Sequence, residues 1–219
     1  MFAYVTIVAG YDIIKYVLTM SLIWPASQRY GLAPAPGALG LVQDFLNTVG
    51  IEGYGPDLLA DTALAREWVA GAVRSWSSAR ALDAPPPALG DADLSKLRAL
   101  REAIARLVAG TPPGGRAPVG ACSASLRLSE SGEVRLEPAG AGWRWLASAL
   151  WGEVMLSQQN GTWGRIKRCH NPRCASTFYD RSRNNSGVWH DVKTCGNAAN
   201  LRASRARRRE RERARPSVG

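Results

Sequence analysis

The amino-acid sequence predicts an α+β fold, with a mainly helical N-terminal domain that contains a β-hairpin and a small basic C-terminal domain. Apolar residues recur at helical spacing in four segments between residues 38 and 158. A period of two replaces that pattern once, at 125–136. Hydrophobic residues make up 46% of the 219 residues. This composition suffices for a core and excludes a wholly disordered, collagen-like or disulfide-scaffold chain.

Start signals and apolar spacing place the four helices. The first is predicted at 38–49, after a Pro- and Gly-rich connector. Asp61 is the expected N-cap of the second helix, and Asp91 or Asp93 is expected to cap the third. The fourth is predicted at 142–158. Between the third and fourth, two alternating runs flank a Gly-containing turn, which is typical of a β-hairpin.

The first 37 residues are interpreted as an extension and linker. Asp12 and Lys15 interrupt its apolar run, and a charge at the bilayer centre costs about 2.5–3.5 kcal/mol, so no membrane span is expected. Met20 opens a stretch that reads like a natural start. We hypothesise that residues 1–19 come from a misplaced start codon; the alternative is a peripheral helix. With no secretory signal in the sequence, the expected location is the cytoplasm.

Charge is distributed unevenly along the chain. Residues 1–164 carry 13 Lys/Arg against 14 Asp/Glu, whereas residues 165–219 carry 15 against 4. The net charge of +10 therefore belongs to the C-terminal quarter. Such an asymmetry favours a polyanionic partner, most often nucleic acid.

The N-terminal body shows no catalytic motif. Residues 1–164 contain no histidine, so a Ser–His or Cys–His pair cannot form within them, and we expect no enzyme activity. Trp143, Trp145 and Trp151 either belong to the core, the more common case, or line a ligand pocket. Cys122 is expected to be a small buried hydrophobe.

The C-terminal quarter contains two pairs of metal-binding residues. Cys169 and Cys174 form one pair, and His190 and Cys195 form the other. Three cysteines and one histidine are a standard set for a closed tetrahedral zinc site, which is structural rather than catalytic. His170 is the competing ligand, but it directly follows Cys169 and would have to reach the same ion from the same short turn.

Two short strands are expected between the ligand pairs, at 176–180 and 188–190, around a polar turn at 181–187. A knuckle, a hairpin and a helix in this order predict a treble-clef zinc finger. The predicted domains are then 38–163 and 164–219.

An Ala- and Arg-rich segment follows the last cysteine. Both residue types favour a helix at 197–215, and Leu201 is its only large apolar residue. A helix with so little to bury is either solvated or lies against a polyanion. Intrahelical Arg–Glu ion pairs would stabilise the helix as a solvated tail with no partner. The guanidinium groups of its arginines could instead form paired hydrogen bonds with phosphate or with the edge of guanine, which favours nucleic acid.

Together these motifs resemble a known family. Cys195-Gly196-Asn197, preceded by Trp189-His190 and by Phe178–Asn184, resembles the CGNR zinc finger. Asp44–Thr48 resembles the opening motif of the ABATE domain that normally accompanies it. The resemblance covers about residues 38–210. It implies a bacterial stress-induced transcription regulator, with a DNA-binding finger and a ligand-sensing ABATE domain.

The resemblance carries residue assignments with it. It implies Cys169, Cys174, His190 and Cys195 as zinc ligands, with His190 where most members have Cys. Ala198 stands where the family name has Arg, so one phosphate contact is missing. The ABATE motif residues that serve either helix packing or a ligand site are Asp44, Asn47 and Thr48.

The sequence therefore predicts a regulator that binds double-stranded DNA, with a homodimer and a small-molecule effector as further expectations. The predicted DNA contacts are Arg181, Arg183, Arg202, Arg205, Arg208 and Arg209. The alternatives are an RNA-binding zinc protein, a protein-interaction finger and a His-Asn-His-type nuclease, of which the nuclease is the weakest because His190 is committed to zinc.

Overall fold

The computed structural model describes residues 22–111 and 122–213. The helices are α1 (Pro25–Gln28), α2 (Gly40–Leu46), α3 (Thr62–Arg80), α4 (Asp91–Val108), α5 (Trp143–Gln159) and α6 (Asn197–Arg213). The strands are β1 (Ala124–Leu128), β2 (Val134–Pro138), β3 (Ile166–Arg168) and β4 (Thr177–Tyr179). A 3₁₀ turn, Gly37–Leu39, leads into α2, and a π-helical turn, Val192–Gly196, leads into α6.

The mainly helical α+β class is confirmed, while the hypothesis about residues 1–19 lies outside the described residues. No helix in the described ranges has both the length and the apolar character needed to span a bilayer.

Helix starts follow the side-chain chemistry of the preceding residues. Asp61 is the N-cap of α3, and its carboxylate accepts a hydrogen bond from the Leu64 N–H at 2.9 Å. The third predicted helix begins differently. Gly90, rather than either aspartate, is the N-cap of α4, and Asp93 accepts the Gly90 N–H at 2.9 Å from the third helical position.

The main core lies between α2, α3, α4 and α5. Its largest fully buried side chains include Trp68, Trp76, Phe45, Leu100 and Leu150. The stripe of Trp143, Trp145 and Trp151 packs against this core, and the ring of Trp145 meets Trp76 edge-on at 5.7 Å. The tryptophan stripe therefore serves packing.

The predicted β1–β2 hairpin is present, with Leu126 paired to Leu136 across the strands. It is a peripheral feature, because Leu126 and Leu128 are each 72% exposed. Cys122, just before β1, is exposed. The expectation of a buried Cys122 was wrong because the hairpin it precedes packs only one edge against the helices.

The C-terminal hairpin differs from the predicted one. The strand expected at 176–180 exists as β4, but its antiparallel partner is β3, with Lys167 opposite Phe178. Residues 188–190 form no strand; in place of strand pairing, the Val188 carbonyl accepts the His170 N–H at 2.9 Å. A three-residue strand such as β3 shows too little periodicity to be recognised from sequence.

The C-terminal hairpin is fixed to the helical body by buried contacts. Ile166 of β3 belongs to the main core. Asn47, at the end of α2, forms hydrogen bonds with the backbone of Thr177 through its side-chain amide, much as a neighbouring strand would. Its Oδ1 accepts the Thr177 N–H at 2.8 Å, and its Nδ2 donates to the Thr177 carbonyl at 2.9 Å. Both partners are buried.

Replacing Asn47 with alanine should destabilise the zinc-loaded protein by about 2–4 kcal/mol. The buried Thr177 N–H would lose its Asn47 acceptor, and the Thr177 carbonyl would keep only the longer bond from Gln43 Nε2 at 3.4 Å. An unsatisfied buried group costs about 1–3 kcal/mol. Urea unfolding followed by circular dichroism measures the change. Asn184→Ala is the matched control, since Asn184 is exposed and its loss should change stability by less than about 0.5 kcal/mol. Equal stabilities for the two variants would contradict the role of Asn47.

Candidate metal centre

Cys169 and Cys174 lie on either side of the tight turn that joins β3 to β4. The turn closes through the Asn171 carbonyl, which accepts the Cys174 N–H at 2.9 Å. Ala175 leaves the turn with φ of 55°, in the left-handed region. At the start of β4, the Ser176 carbonyl accepts the Cys169 N–H at 2.8 Å, so the two thiols face the same side.

His190 and Cys195 reach the site from the start of the C-terminal helix. Asp191 caps the π-helical turn: its carboxylate accepts the Thr194 N–H, and its carbonyl accepts the Cys195 N–H, both at 3.0 Å. The Trp189 ring packs closely against Gly196. A Cβ at this position would stand 3.2 Å from the ring, so glycine permits the close approach.

The four predicted ligands come together. The Sγ atoms of Cys169, Cys174 and Cys195 and a ring nitrogen of His190 all lie within 4.8 Å of one another. The Nδ1 of His190 is 3.3 Å from Cys174 Sγ. Around a tetrahedral zinc, with bonds of about 2.0–2.3 Å, ligand atoms stand roughly 3.5–3.8 Å apart. The donor set and its spacing therefore fit one zinc ion.

The burial of the thiols explains why the site needs a cation. All three cysteines are buried. Burial, with a smaller contribution from the neighbouring Cys174 and Cys195, raises the pKa of the Cys169 thiol to about 12, although backbone hydrogen bonds from His190 and Asn171 oppose the rise. A thiol with this pKa stays protonated near neutral pH unless a positive charge is added. Bound zinc supplies that charge, holds the thiols as thiolates and cross-links the turn to α6.

Polar side chains around the ligands were not predicted from the sequence. Asn171 donates its Nδ2–H to Cys195 Sγ at 3.1 Å, and Ser176 Oγ lies 3.0 Å from Cys174 Sγ. Such outer contacts orient metal ligands. Asn171 and Ser176 lie within two residues of Cys169 and Cys174, the only sequence signal that could have identified them. His170 stays outside the cluster, exposed, with its ring edge-on to Trp189 at 5.9 Å.

The loop after β4 is organised by Asp180. Its carboxylate accepts Lys167 Nζ and the Gly187 N–H at 2.7 Å each, and the Ser182 N–H at 2.8 Å. Burial alone would raise the pKa of Asp180, but these donors outweigh burial and hold it well below the usual range. These hydrogen bonds fix the conformation of the loop that leads from β4 to His190.

The predicted DNA-contact arginines occupy two kinds of position. Arg181 donates to the Pro34 carbonyl at 2.7 Å, and Arg202 donates to Asn171 Oδ1 at 2.6 Å. Arg202 is half-buried, and the exposed members of the set are Arg181, Arg183, Arg205, Arg208 and Arg209. The DNA-contact role of all six stays a prediction.

Asp44 and Thr48, like Asn47, are fully buried and hydrogen-bonded. Asp44 accepts the Ser27 N–H at 2.7 Å and Trp68 Nε1–H at 2.8 Å, and Thr48 Oγ1 accepts from Arg101 Nη1 at 2.9 Å. Burial raises the pKa of Asp44, while the bonds from Ser27 and Trp68 oppose that rise. These side chains tie α2 to its neighbours, and their part in a ligand site stays a prediction.

Comparison with known families agrees with this geometry. Residues 165–208 match the family model of the CGNR zinc finger. Residues 39–157, more than half of the chain, match the ABATE family model, whose description reads "Putative stress-induced transcription regulator". The chain belongs to the ABATE family. A search of the curated proteins found no match.

The ABATE domain and the CGNR finger thus account for most of the described chain. The finger holds one structural zinc ion through Cys169, Cys174, His190 and Cys195, as predicted. The treble-clef label stays a prediction, as do the domain limits at residues 163 and 164.

Cys195→Ser should abolish stoichiometric zinc binding, because one of four ligands is lost from a closed site. Cys122→Ser is the matched control, since Cys122 is exposed and outside the cluster. Zinc content measured by mass spectrometry should be one ion per chain in the parent and in Cys122→Ser. Loss of zinc from both variants, or from neither, would contradict the assignment.

Proposed function

We propose that this protein is a DNA-binding transcription regulator, and not an enzyme, in which the zinc finger positions α6 on duplex DNA. The observation that carries the proposal is the exposure of α6. Every side chain from Ala203 to Arg211 is exposed, and Leu201 is 52% exposed. Seven arginines and two glutamates lie between 197 and 213.

A helix with no buried face gains nothing from the protein's core beyond its first turn. Its arginines instead present a concentrated positive charge, while residues 1–164 are nearly neutral. Polyphosphate binding releases condensed counterions and supplies most of the sequence-independent affinity. The major groove admits a helix of this kind.

The exposed arginines are the strongest candidates for phosphate contacts. Arg205 and Arg209 are four residues apart and share one face of α6, and Arg183 lies in the exposed loop before His190. Arg181 and Arg202 already donate to protein oxygens, so each has fewer free donors for phosphate.

The salt dependence of binding tests the DNA interface. If about six phosphates are neutralised, log affinity should fall with log salt at a slope of about −5.4, and Arg205→Ala with Arg209→Ala should bring it to about −3.6. Fluorescence anisotropy with labelled duplex DNA at several salt concentrations measures this. Arg74→Ala, an exposed arginine on α3, should leave the slope unchanged.

A slope near zero in the parent protein would defeat the DNA proposal. Stronger competition by structured RNA than by duplex DNA would favour the RNA-binding alternative. Binding to neither would favour the protein-interaction finger.

A cavity of about 280 Å³ supports ligand sensing by the ABATE domain. It lies where the C-terminal ends of α3 and α5 meet the Gly37–Leu39 turn and Tyr179 of the finger. Glu153 in its wall already accepts hydrogen bonds from Arg80 and from Trp76 Nε1. Unused donors remain: in the described residues, neither Tyr179 Oη nor Asn160 Nδ2 has a protein partner. We therefore propose a small effector with an acceptor group such as a carboxylate.

Filling this cavity tests the effector site. Ala79, which lines it, is replaced by leucine, and thermal shifts are recorded with a panel of small carboxylic acids and their neutral esters. An acid at 100 times its Kd should stabilise the parent by about 2.7 kcal/mol and should not stabilise Ala79→Leu. Equal stabilisation of both proteins would place the ligand elsewhere. Sedimentation of the same samples tests the expected homodimer.

A further inference from the structure

Arg202 differs from the other arginines of α6 because it faces the metal centre. Its Nη2 donates to Asn171 Oδ1 at 2.6 Å, and the guanidinium is half-buried. Asn171 itself is buried and donates its Nδ2–H to Cys195 Sγ at 3.1 Å. Arg202 and Asn171 therefore connect the first turns of α6 with the zinc ligand Cys195.

We infer that Arg202 is a positioning residue that couples the direction of α6 to the metal centre. The inference goes beyond DNA binding, since it concerns how the helix is held and not what it contacts. It assigns to Arg202 a task different from that of Arg205, one turn further along the same helix.

The orientation of the Asn171 amide is the first half of the argument. Its Oδ1 accepts from Arg202 and, at 3.3 Å, from the Arg173 N–H. A flipped amide would place its NH₂ group against both donors and leave Cys195 Sγ without one. Arg202 thus keeps the amide donor directed at the sulfur. An N–H donor stabilises a thiolate, and outer contacts of this kind change metal affinity by about 10–100-fold.

The attachment of the helix is the second half. Cys195 lies in the π-helical turn that runs directly into α6. One point alone would let the helix pivot. Arg202, seven residues further on, bonds to the turn that carries Cys169 and Cys174 and so adds a second point. Beyond it, the side chains from Ala203 to Arg211 are exposed, so these two points set the direction of the charged helix.

Zinc release and salt dependence together test the inference. In full-length protein, Arg202→Ala should release zinc to a chromophoric chelator about tenfold faster than the parent. Asn171→Ala should release zinc faster by a similar factor. The double variant should release it only slightly faster than either single variant, because each substitution breaks the same chain of hydrogen bonds from Arg202 through Asn171 to Cys195. Arg202→Lys, which keeps the positive charge and an N–H donor but not the guanidinium geometry, should recover part of the loss. Arg205→Ala should release zinc at the parental rate.

The DNA titration separates positioning from contact. Arg202→Ala should weaken binding without changing the salt slope, whereas Arg205→Ala should make the slope shallower by about 0.9. A parental zinc-release rate in Arg202→Ala would overturn the inference, as would a shallower slope with unchanged release. Should Arg202→Ala lose zinc during purification, Arg202→Lys and Asn171→Ala decide by the same assay. Zinc release needs no DNA, so the inference can hold even if the proposed function fails.

Discussion

Closure of four ligand atoms around one cation is the constraint on which the C-terminal part of this protein depends. The hairpin β3–β4 has three residues in each strand, and the second apolar cluster, beside the site, is small. Such a segment has little surface to bury. Structural zinc sites contribute on the order of 10–16 kcal/mol. The ion therefore supplies the cohesion that the finger's own side chains cannot, and it does so at the junction of the turn and α6.

The finger nevertheless packs against the helical domain. Ile166 enters the main core, and Asn47 holds Thr177 from the end of α2. Arg181 adds a bond to the Pro34 carbonyl. These contacts place the metal centre at a defined position against the ABATE helices. A conformational change at the cavity beside Tyr179 would thus be transmitted to the finger through packed side chains rather than through a linker.

Local patterns in the sequence predicted what is local in the structure. Helical spacing gave α3 and α5, and paired Cys/His spacing gave all four metal ligands, because both signals lie within a few residues of one another. Strand pairing of β4 was mispredicted, since its partner is set by the intervening knuckle. The bond from Arg202 to Asn171 could not be predicted from the sequence, because Arg202 is one of several arginines in α6 and helix periodicity does not say which face of the helix contacts another segment. The bonds of Asn47 span 130 residues and leave no local trace.

The bond pattern of Asn47 has a further consequence for how the molecule behaves at high concentration. A side-chain amide offers one donor and one acceptor, as a peptide group does, and Asn47 fills the outward-facing pair of Thr177. It thereby acts as a one-residue neighbouring strand that blocks the open border of β4, where another chain could otherwise add itself and begin to aggregate.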